Sequence, residues 1–289
     1  MTEALQNTYC VIGDPIEHSL SPEIHNFVFS ELDLPLQYEA VRVPTDMLQS
    51  FIQESRELKR PGWNVTIPNK QAIIPFLDEI DPLARRIRAV NTVINKNGKL
   101  IGLNTDVYGC RTSLERGGWS PNGKVILLGA GGAARAVIAS LASMGVRDLI
   151  LFDLIIERAK DIRLDFMKIL DMTITIGNIN KGDLENELDN VDLLVNATPV
   201  GMWPKNEESP VPCPEWIPQN TTVFDLVYKP INTRLLQQSR SRGAHTISGL
   251  TMLIAQALAS DEIWLNRKLP ESLFEKVLEH LSKILEEDE

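Results

Sequence analysis

Two short stretches of the chain hold residues whose types and spacing could do chemistry. In "GWNVTIPNK", Gly62 to Lys70, the apolar Trp63, Val65 and Ile67 alternate with Asn64 and Thr66. That is the period of a strand with one apolar and one polar face. The strand stops at Pro68 and Lys70 follows, so Asn64, Thr66 and Lys70 can present an amide, a hydroxyl and an ammonium at one strand end. The plainer alternative is a half-solvated edge strand closed by a proline, with Lys70 on the surface. In "VILLGAGGAARA", the run Gly129, Ala130, Gly131, Gly132, Ala133 joins an apolar strand to an alanine-rich helix, and Gly129, Gly131 and Ala134 form a GxGxxA pattern. Glycines there let the backbone turn tightly and approach a pyrophosphate, whose charge is favoured by the free amides of the helix N-terminus.

A second strand, "LILF", ends at Asp153, 24 residues after Gly129, near the spacing expected for a ribose contact. A carboxylate at that strand end accepts hydrogen bonds from a 2′-hydroxyl but repels a 2′-phosphate. Leu154, Ile155 and Ile156 supply no counter-charge, while Arg158 can stack on adenine or approach a phosphate. The expected cofactor is NAD, with NADP the lesser candidate.

The elements that must position these residues alternate throughout. "TYCVIGDP" reads as a strand and turn, and "SLSPEIHNFVFSELDL" as a helix with Ser21 as N-cap and Pro22 as its first residue. Strand "LQYEAVRV", helix "DMLQSFIQESREL" and the proline-broken helical pieces of "AIIPFLDEIDPLARRIRAV" follow, then a hairpin over 91–106 with its turn at Asn97-Gly98 and a helix from Asp106. A fresh series of strands and helices starts at Lys124, with strands in "KVILL", "DLILF", "DLLVN", "TTVFD" and "HTIS", and two helices close the chain. The expected fold class is α/β in two domains, the second built on a largely parallel sheet.

The 289 residues carry a formal charge of −10, with 43% hydrophobic and 24% charged residues and a pI of about 5.0. That composition is of the globular kind and argues against extended nucleic acid or anionic membrane as partners. Cys10, Cys110 and Cys213 show no CxxC spacing, and no His, Cys or carboxylate cluster has ligand spacing, so no metal is expected. No leader-like opening and no apolar run near the ~18 residues of a membrane span are evident, so a soluble, cytoplasmic protein is expected.

Eight segments in order, "GDPIEHSLSPEIHN", "NVTIPNK", "AVNTV", "GLNTDVYG", "GAGGAARA", "NATPVGM", "DLVYKP" and "GLTMLIAQ", resemble shikimate dehydrogenase and its quinate/shikimate dehydrogenase relatives over nearly the whole chain. The resemblance implies a discontinuous substrate domain of residues 1–106 and 249–289, a Rossmann-type dinucleotide domain of residues 107–248, and reversible reduction of 3-dehydroshikimate to shikimate; a monomer or a homodimer is expected, with the sequence deciding neither. It places Lys70 and Asp106 at the chemistry, since an ammonium can stabilise the charge that hydride transfer builds on a carbonyl oxygen and deliver the proton. It places Ser19, Ser21 and Tyr228 at the substrate carboxylate, and Asn64, Thr66, Asn91 and Gln256 around the ring. Asn196, Thr198, Met202, Gly249 and Met252 fall around the nicotinamide and its ribose.

Each assignment has a plainer reading. Ser21 and Asp106 could be helix caps, Gln256 an exposed helix residue, and Met202 and Met252 core fillers. His18 and His25 belong to matched segments and read as structural. Many NADP-using members carry Asn-Arg-Thr where this chain has Asp153-Leu154-Ile155, which favours the NAD-using quinate/shikimate branch. "SLS" argues mildly the other way, because the branch most active on quinate can have threonine at the second serine's place. A non-catalytic sensor of shikimate-like compounds is the alternative from another class, and a dehydrogenase for an amino-shikimate or a folate intermediate is a third.

Overall fold

The computed structural model describes residues 6–167, 171–178 and 183–287. It divides into two compact units, Met1–Tyr108 with Ile254–Leu281, and Gly109–Leu253 with Ser282–Glu289.

The first unit is built on a six-stranded mixed sheet in the order β2-β1-β3-β5-β6-β4. Its strands are β1 (Thr8–Gly13), β2 (Gln37–Arg42), β3 (Gly62–Val65), β4 (Glu79–Ile80), β5 (Thr92–Lys96) and β6 (Lys99–Leu103). β1 runs parallel to β2 and β3, whereas β3 and β6 are antiparallel to β5. The hairpin β5–β6 turns at Asn97 and Gly98, both with positive φ, as a two-residue connection of right-twisted strands requires. Apolar positions of β1, β3 and β5 pack on the helix Leu48–Glu57 through Ile12, Trp63, Val65, Val93, Leu48 and Ile52, all buried.

Four local expectations differ from the structure. β3 ends at Val65, so Ile67 does not continue its apolar face and is 65% exposed. β3 is also an interior strand between β1 and β5 with every residue buried, which removes the edge-strand alternative. Leu20, not Ser21, is the N-cap of the helix Ser21–Glu31. The segment expected to supply only helical pieces includes the short strand β4, parallel to β6. Its helix Pro82–Ile87 is capped by Asp81, whose carboxylate accepts from the amides of Leu83 and Ala84.

The second unit carries a six-stranded, wholly parallel sheet in the order β12-β11-β10-β7-β8-β9. These strands are β7 (Lys124–Leu128), β8 (Asp148–Phe152), β9 (Thr173–Gly177), β10 (Val191–Asn196), β11 (Thr222–Asp225) and β12 (His245–Ser248). Order reverses on either side of β7, the doubly wound arrangement in which ligands sit at the C-terminal strand ends. Edge strand β9 is absent from the sequence reading above. The core of this unit combines aliphatic residues such as Ile126, Leu194 and Val223 with the fully buried Phe152 and Phe224. Among the described residues no helix is long and apolar enough to cross a membrane.

Candidate active site

In the first unit, the cis Ile67–Pro68 bond ends the chain's run past β3, and the short helix Asn69–Ala72 begins at once, carrying Lys70. Lys70 Nζ donates to Asp106 Oδ2 at 2.7 Å, with both side chains largely buried at 15% and 9% exposure. Asp106 is the first residue of the helix Asp106–Arg116. The capping duty belongs to Asn104, whose Oδ1 accepts from the Val107 amide at 3.3 Å, so Asp106 is left for Lys70. Its second oxygen accepts from Asn91 Nδ2 at 2.8 Å. Asn91 Oδ1 in turn accepts from the Thr105 amide at 2.7 Å and from Thr92 Oγ1 at 2.9 Å.

Gln256 is buried on the helix Gly249–Leu265, with Oε1 3.4 Å from Asn91 Nδ2 and 3.5 Å from Thr105 Oγ1, so it is not an exposed helix residue. Asn64 is buried too. Its Nδ2 lies 3.1 Å from Asn91 O, Thr92 Oγ1 and Ser260 Oγ, and its Oδ1 accepts from the Tyr38 hydroxyl at 2.6 Å. Thr66 is half-buried. Ser19, half-buried, accepts the Ser21 amide proton at 3.3 Å, so it has the helix-start duty expected of Ser21, which is buried and hydrogen-bonds Tyr38. His18 is exposed, and His25 is fully buried against Asp261 at 2.7 Å.

In the second unit the turn after β7 is made by backbone. Gly129 has φ +97°, and a Cβ there would come within 2.9 Å of Thr198 Cγ2 and 3.0 Å of the Ala197 carbonyl group. A Cβ at Gly131 would meet nothing within 4 Å, so open space lies over the turn. The helix Gly132–Ser143 starts there with no side chain capping it, which leaves first-turn amides for an anion, and Ala133 sits in that first turn. A diphosphate fits this set of free amides, open space and absent side chains. Asp153 stands beside it, accepting from the Ala130 amide and from the Ile155 amide, each at 2.7 Å. Arg158 is exposed.

Asn196 ends β10 and is fully buried, with Oδ1 accepting from the Thr198 amide at 3.0 Å and Thr198 Oγ1 at 2.6 Å. Its Nδ2 donates to Asp225 Oδ1 at 2.9 Å. Tyr228 is half-buried three residues beyond β11, and desolvation lifts its phenol above its ordinary value. Met202 is 46% exposed and so is not a core filler, whereas Met252 is buried at 7% and Gly249 opens its helix. Among the described residues, no group of three or more His, Cys, Asp or Glu could hold a metal.

An ammonium locked to a buried carboxylate, and a glycine turn closed by an aspartate, are the parts a dinucleotide-dependent carbonyl reductase needs. Residues 11–93 match the family described as the shikimate dehydrogenase substrate binding domain. The chain is 40% identical over 269 residues to the shikimate dehydrogenase (NADP(+)) of Moorella thermoacetica, covering 93% of this chain and 91% of that relative. The chain belongs to the shikimate dehydrogenase family.

Solved shikimate dehydrogenase structures share the two-domain α/β fold. The shikimate 5-dehydrogenase of Listeria monocytogenes in complex with shikimate and NAD is similar with a TM-score of 0.86 and 34% identity, covering 94% of this chain and 96% of that one. The Thermus thermophilus enzyme in complex with NADP(H) and shikimate gives 0.83 and 35%, covering 93% and 97%. As a shikimate dehydrogenase family member the protein is an NAD(P)-dependent oxidoreductase, with an N-terminal substrate-binding domain and a Rossmann-type domain.

Sequence reasoning missed the hydroxyls behind this shikimate dehydrogenase site: Tyr38, Thr92, Thr105 and Ser260. Thr92, Thr105 and Ser260 lie 3.1 Å from one another and are all buried. One signal pointed to Ser260. It lies four residues after Gln256 on the same helix, and so on the same face.

Proposed function

We propose that this enzyme reversibly reduces the 3-keto group of 3-dehydroshikimate to shikimate and prefers NAD. The observation that carries the reaction is the 2.7 Å contact of Lys70 Nζ with Asp106 Oδ2. Bound dinucleotide supplies the hydride in reduction and accepts it in oxidation. Hydride arriving at the carbonyl carbon pushes an electron pair onto the oxygen, where the Lys70 ammonium stabilises the charge and hands over a proton. In the reverse direction neutral Lys70 takes the hydroxyl proton. Asp106 aims Nζ, and Asn91 holds Asp106, so the acid need not be ordered at the moment of reaction.

Ser19, Ser21 and Tyr228 are assigned as hydroxyl donors to the substrate carboxylate. Thr66, Asn91 and Gln256 are assigned to the ring, with Asn64 contributing the lone pair of Oδ1 that Tyr38 leaves free. Residues 1–106 with 249–289 are assigned to substrate and residues 107–248 to dinucleotide. Gly129 to Ala133 would hold the diphosphate, Asn196, Thr198, Met202, Gly249 and Met252 the nicotinamide end, and Asp153 with Arg158 the adenosine end.

The NAD preference rests on Asp153. Two amide hydrogen bonds hold its carboxylate at the strand end, so it cannot swing away from a 2′-phosphate, yet it retains lone pairs for a 2′-hydroxyl. Its neighbours Leu154 and Ile155, 75% and 47% exposed, offer no donor. Crossing shikimate and quinate with NAD and NADP tests the whole reading through kcat/KM. Shikimate with NAD is expected to give the highest value. A tenfold advantage for NADP would overturn the preference, and no growth of NADH absorbance with shikimate would point to the sensor.

A further inference from the structure

Behind the Lys70–Asp106 pair lies a run of hydrogen bonds with a definite direction. Asp261 and His25, both with 0% exposed side chains, meet at 2.7 Å. The His25 ring stacks on Tyr38 at 4.1 Å and an interplanar angle of 17°. Burial lifts the Tyr38 phenol well above its ordinary value, so it remains an O–H donor. That hydroxyl donates to Asn64 Oδ1 at 2.6 Å and, with the Asn91 backbone carbonyl that accepts from Nδ2, holds the amide with Nδ2 toward Asn91 O and Thr92 Oγ1. The Thr105 amide and Thr92 Oγ1 both donate to Asn91 Oδ1, which leaves Asn91 Nδ2 facing Asp106 Oδ1. A flipped Asn91 would set a carbonyl oxygen against that carboxylate.

We propose that Tyr38, seated by the buried His25–Asp261 pair, is a positioning residue whose hydroxyl holds Asn64 in place and, through the run Asn64–Thr92–Asn91, supports the placement of Asp106 and Lys70. The proposal rests on the reading of Lys70 and Asp106 as the catalytic pair. It predicts that the distant phenol acts on turnover and not on dinucleotide affinity.

Tyr38→Phe keeps the ring stacked on His25 and removes the hydroxyl that donates to Asn64 and meets Ser21. Turnover with shikimate and NAD is expected to fall about tenfold, as for loss of orientation and not of the acid itself, with KM for NAD unchanged. The deciding measurement is a cycle with Asn91→Ala. Because Tyr38 acts through Asn91, Tyr38→Phe should cost little further turnover once Asn91 is gone. Full multiplication of the two losses, or a wild-type kcat for Tyr38→Phe, overturns the proposal. Should Tyr38→Phe fail to fold, Thr92→Val breaks the same run one bond nearer the site and is held to the same two outcomes. A Lys70→Ala variant with normal turnover would instead sink the underlying catalytic reading.

Discussion

The two units prepare for their ligands by opposite means. In the first, Lys70 and Asn91 meet Asp106, and behind them buried polar atoms from β3, β5 and the helix Gly249–Leu265 satisfy one another across long sequence separations. In the second, the turn after β7 relies on backbone: a glycine with positive φ, an uncapped helix start and one aspartate holding an amide. The difference teaches where each region is vulnerable. Removing a side chain should silence the first unit while leaving its fold, whereas adding a methyl group should be enough to disturb the second.

The largest expected effect is in the first unit. Lys70→Ala deletes the proton donor and the charge that meets the developing oxyanion, and should lower kcat about 10³-fold. Dinucleotide affinity, measured by fluorescence titration of NADH, should hold, because the glycine turn is untouched. A loss of NADH binding equal to the loss of rate would erase the contrast between the regions.

Each region also contains a buried carboxylate. Asp106 is met by a cation, whereas among the described residues Asp225 is met by hydrogen bonds alone, from Asn196, Val227 and Thr233. Burial pushes the Asp225 pKa from 3.8 up to about 6 in spite of them. Because the folded value is the higher one, the stabilising contribution is full below about pH 4 and is lost as pH rises through about 6. Ionised at neutral pH, the group costs about 3 kcal/mol. Asp225→Asn keeps the acceptor for Asn196 and Val227, so denaturant titrations should show the variant gaining on wild type by up to that amount between pH 4 and 7. A gap that stays flat across this range would mean that Asp225 titrates as an exposed carboxylate.

Two methyl groups sharpen the comparison within the second unit. Gly129→Ala meets both a left-handed φ and a 2.9 Å approach to Thr198, and should cost about 1–3 kcal/mol of stability. Gly131→Ala, where nothing lies within 4 Å, should leave the melting temperature alone and weaken NAD binding. Equal thermal shifts for the two variants would contradict the assigned geometry of the turn.

How much of this the sequence discloses follows the same division. The glycine turn, Asp153 and the hairpin at Asn97-Gly98 are local in sequence, where spacing alone carries the information. The run around Asp106 depends on partners up to 196 residues apart, and no local pattern tells whether Asn64 faces solvent or Ser260. Lys70 and Asp106 are legible through likeness to a family, since a lone lysine after a proline reads as surface. Ile67 misleads because period-2 alternation continues through a residue at which pairing has already stopped. Leu20 is the N-cap with Ser19 accepting the Ser21 amide, and Asn104 accepts the Val107 amide, because helix starts are chosen by backbone geometry one or two residues away from the obvious candidates Ser21 and Asp106.

The smallest expected effect lies at the adenosine end, where backbone again dominates and one exposed side chain could tip the choice of cofactor. Leu154 follows Asp153 and is 75% exposed, so Leu154→Arg buries nothing and should leave stability unchanged. It places a guanidinium beside Arg158 in sequence space where a 2′-phosphate would need a counter-charge. Asp153 stays fixed by the Ala130 and Ile155 amides and continues to repel that phosphate, so the gain is partial. The ratio of kcat/KM for NADP over NAD should rise about tenfold, roughly 1.4 kcal/mol, chiefly through KM for NADP. An unchanged ratio would place the adenosine ribose away from Leu154 and take from the NAD assignment its argument about neighbours, leaving Asp153 to carry it alone.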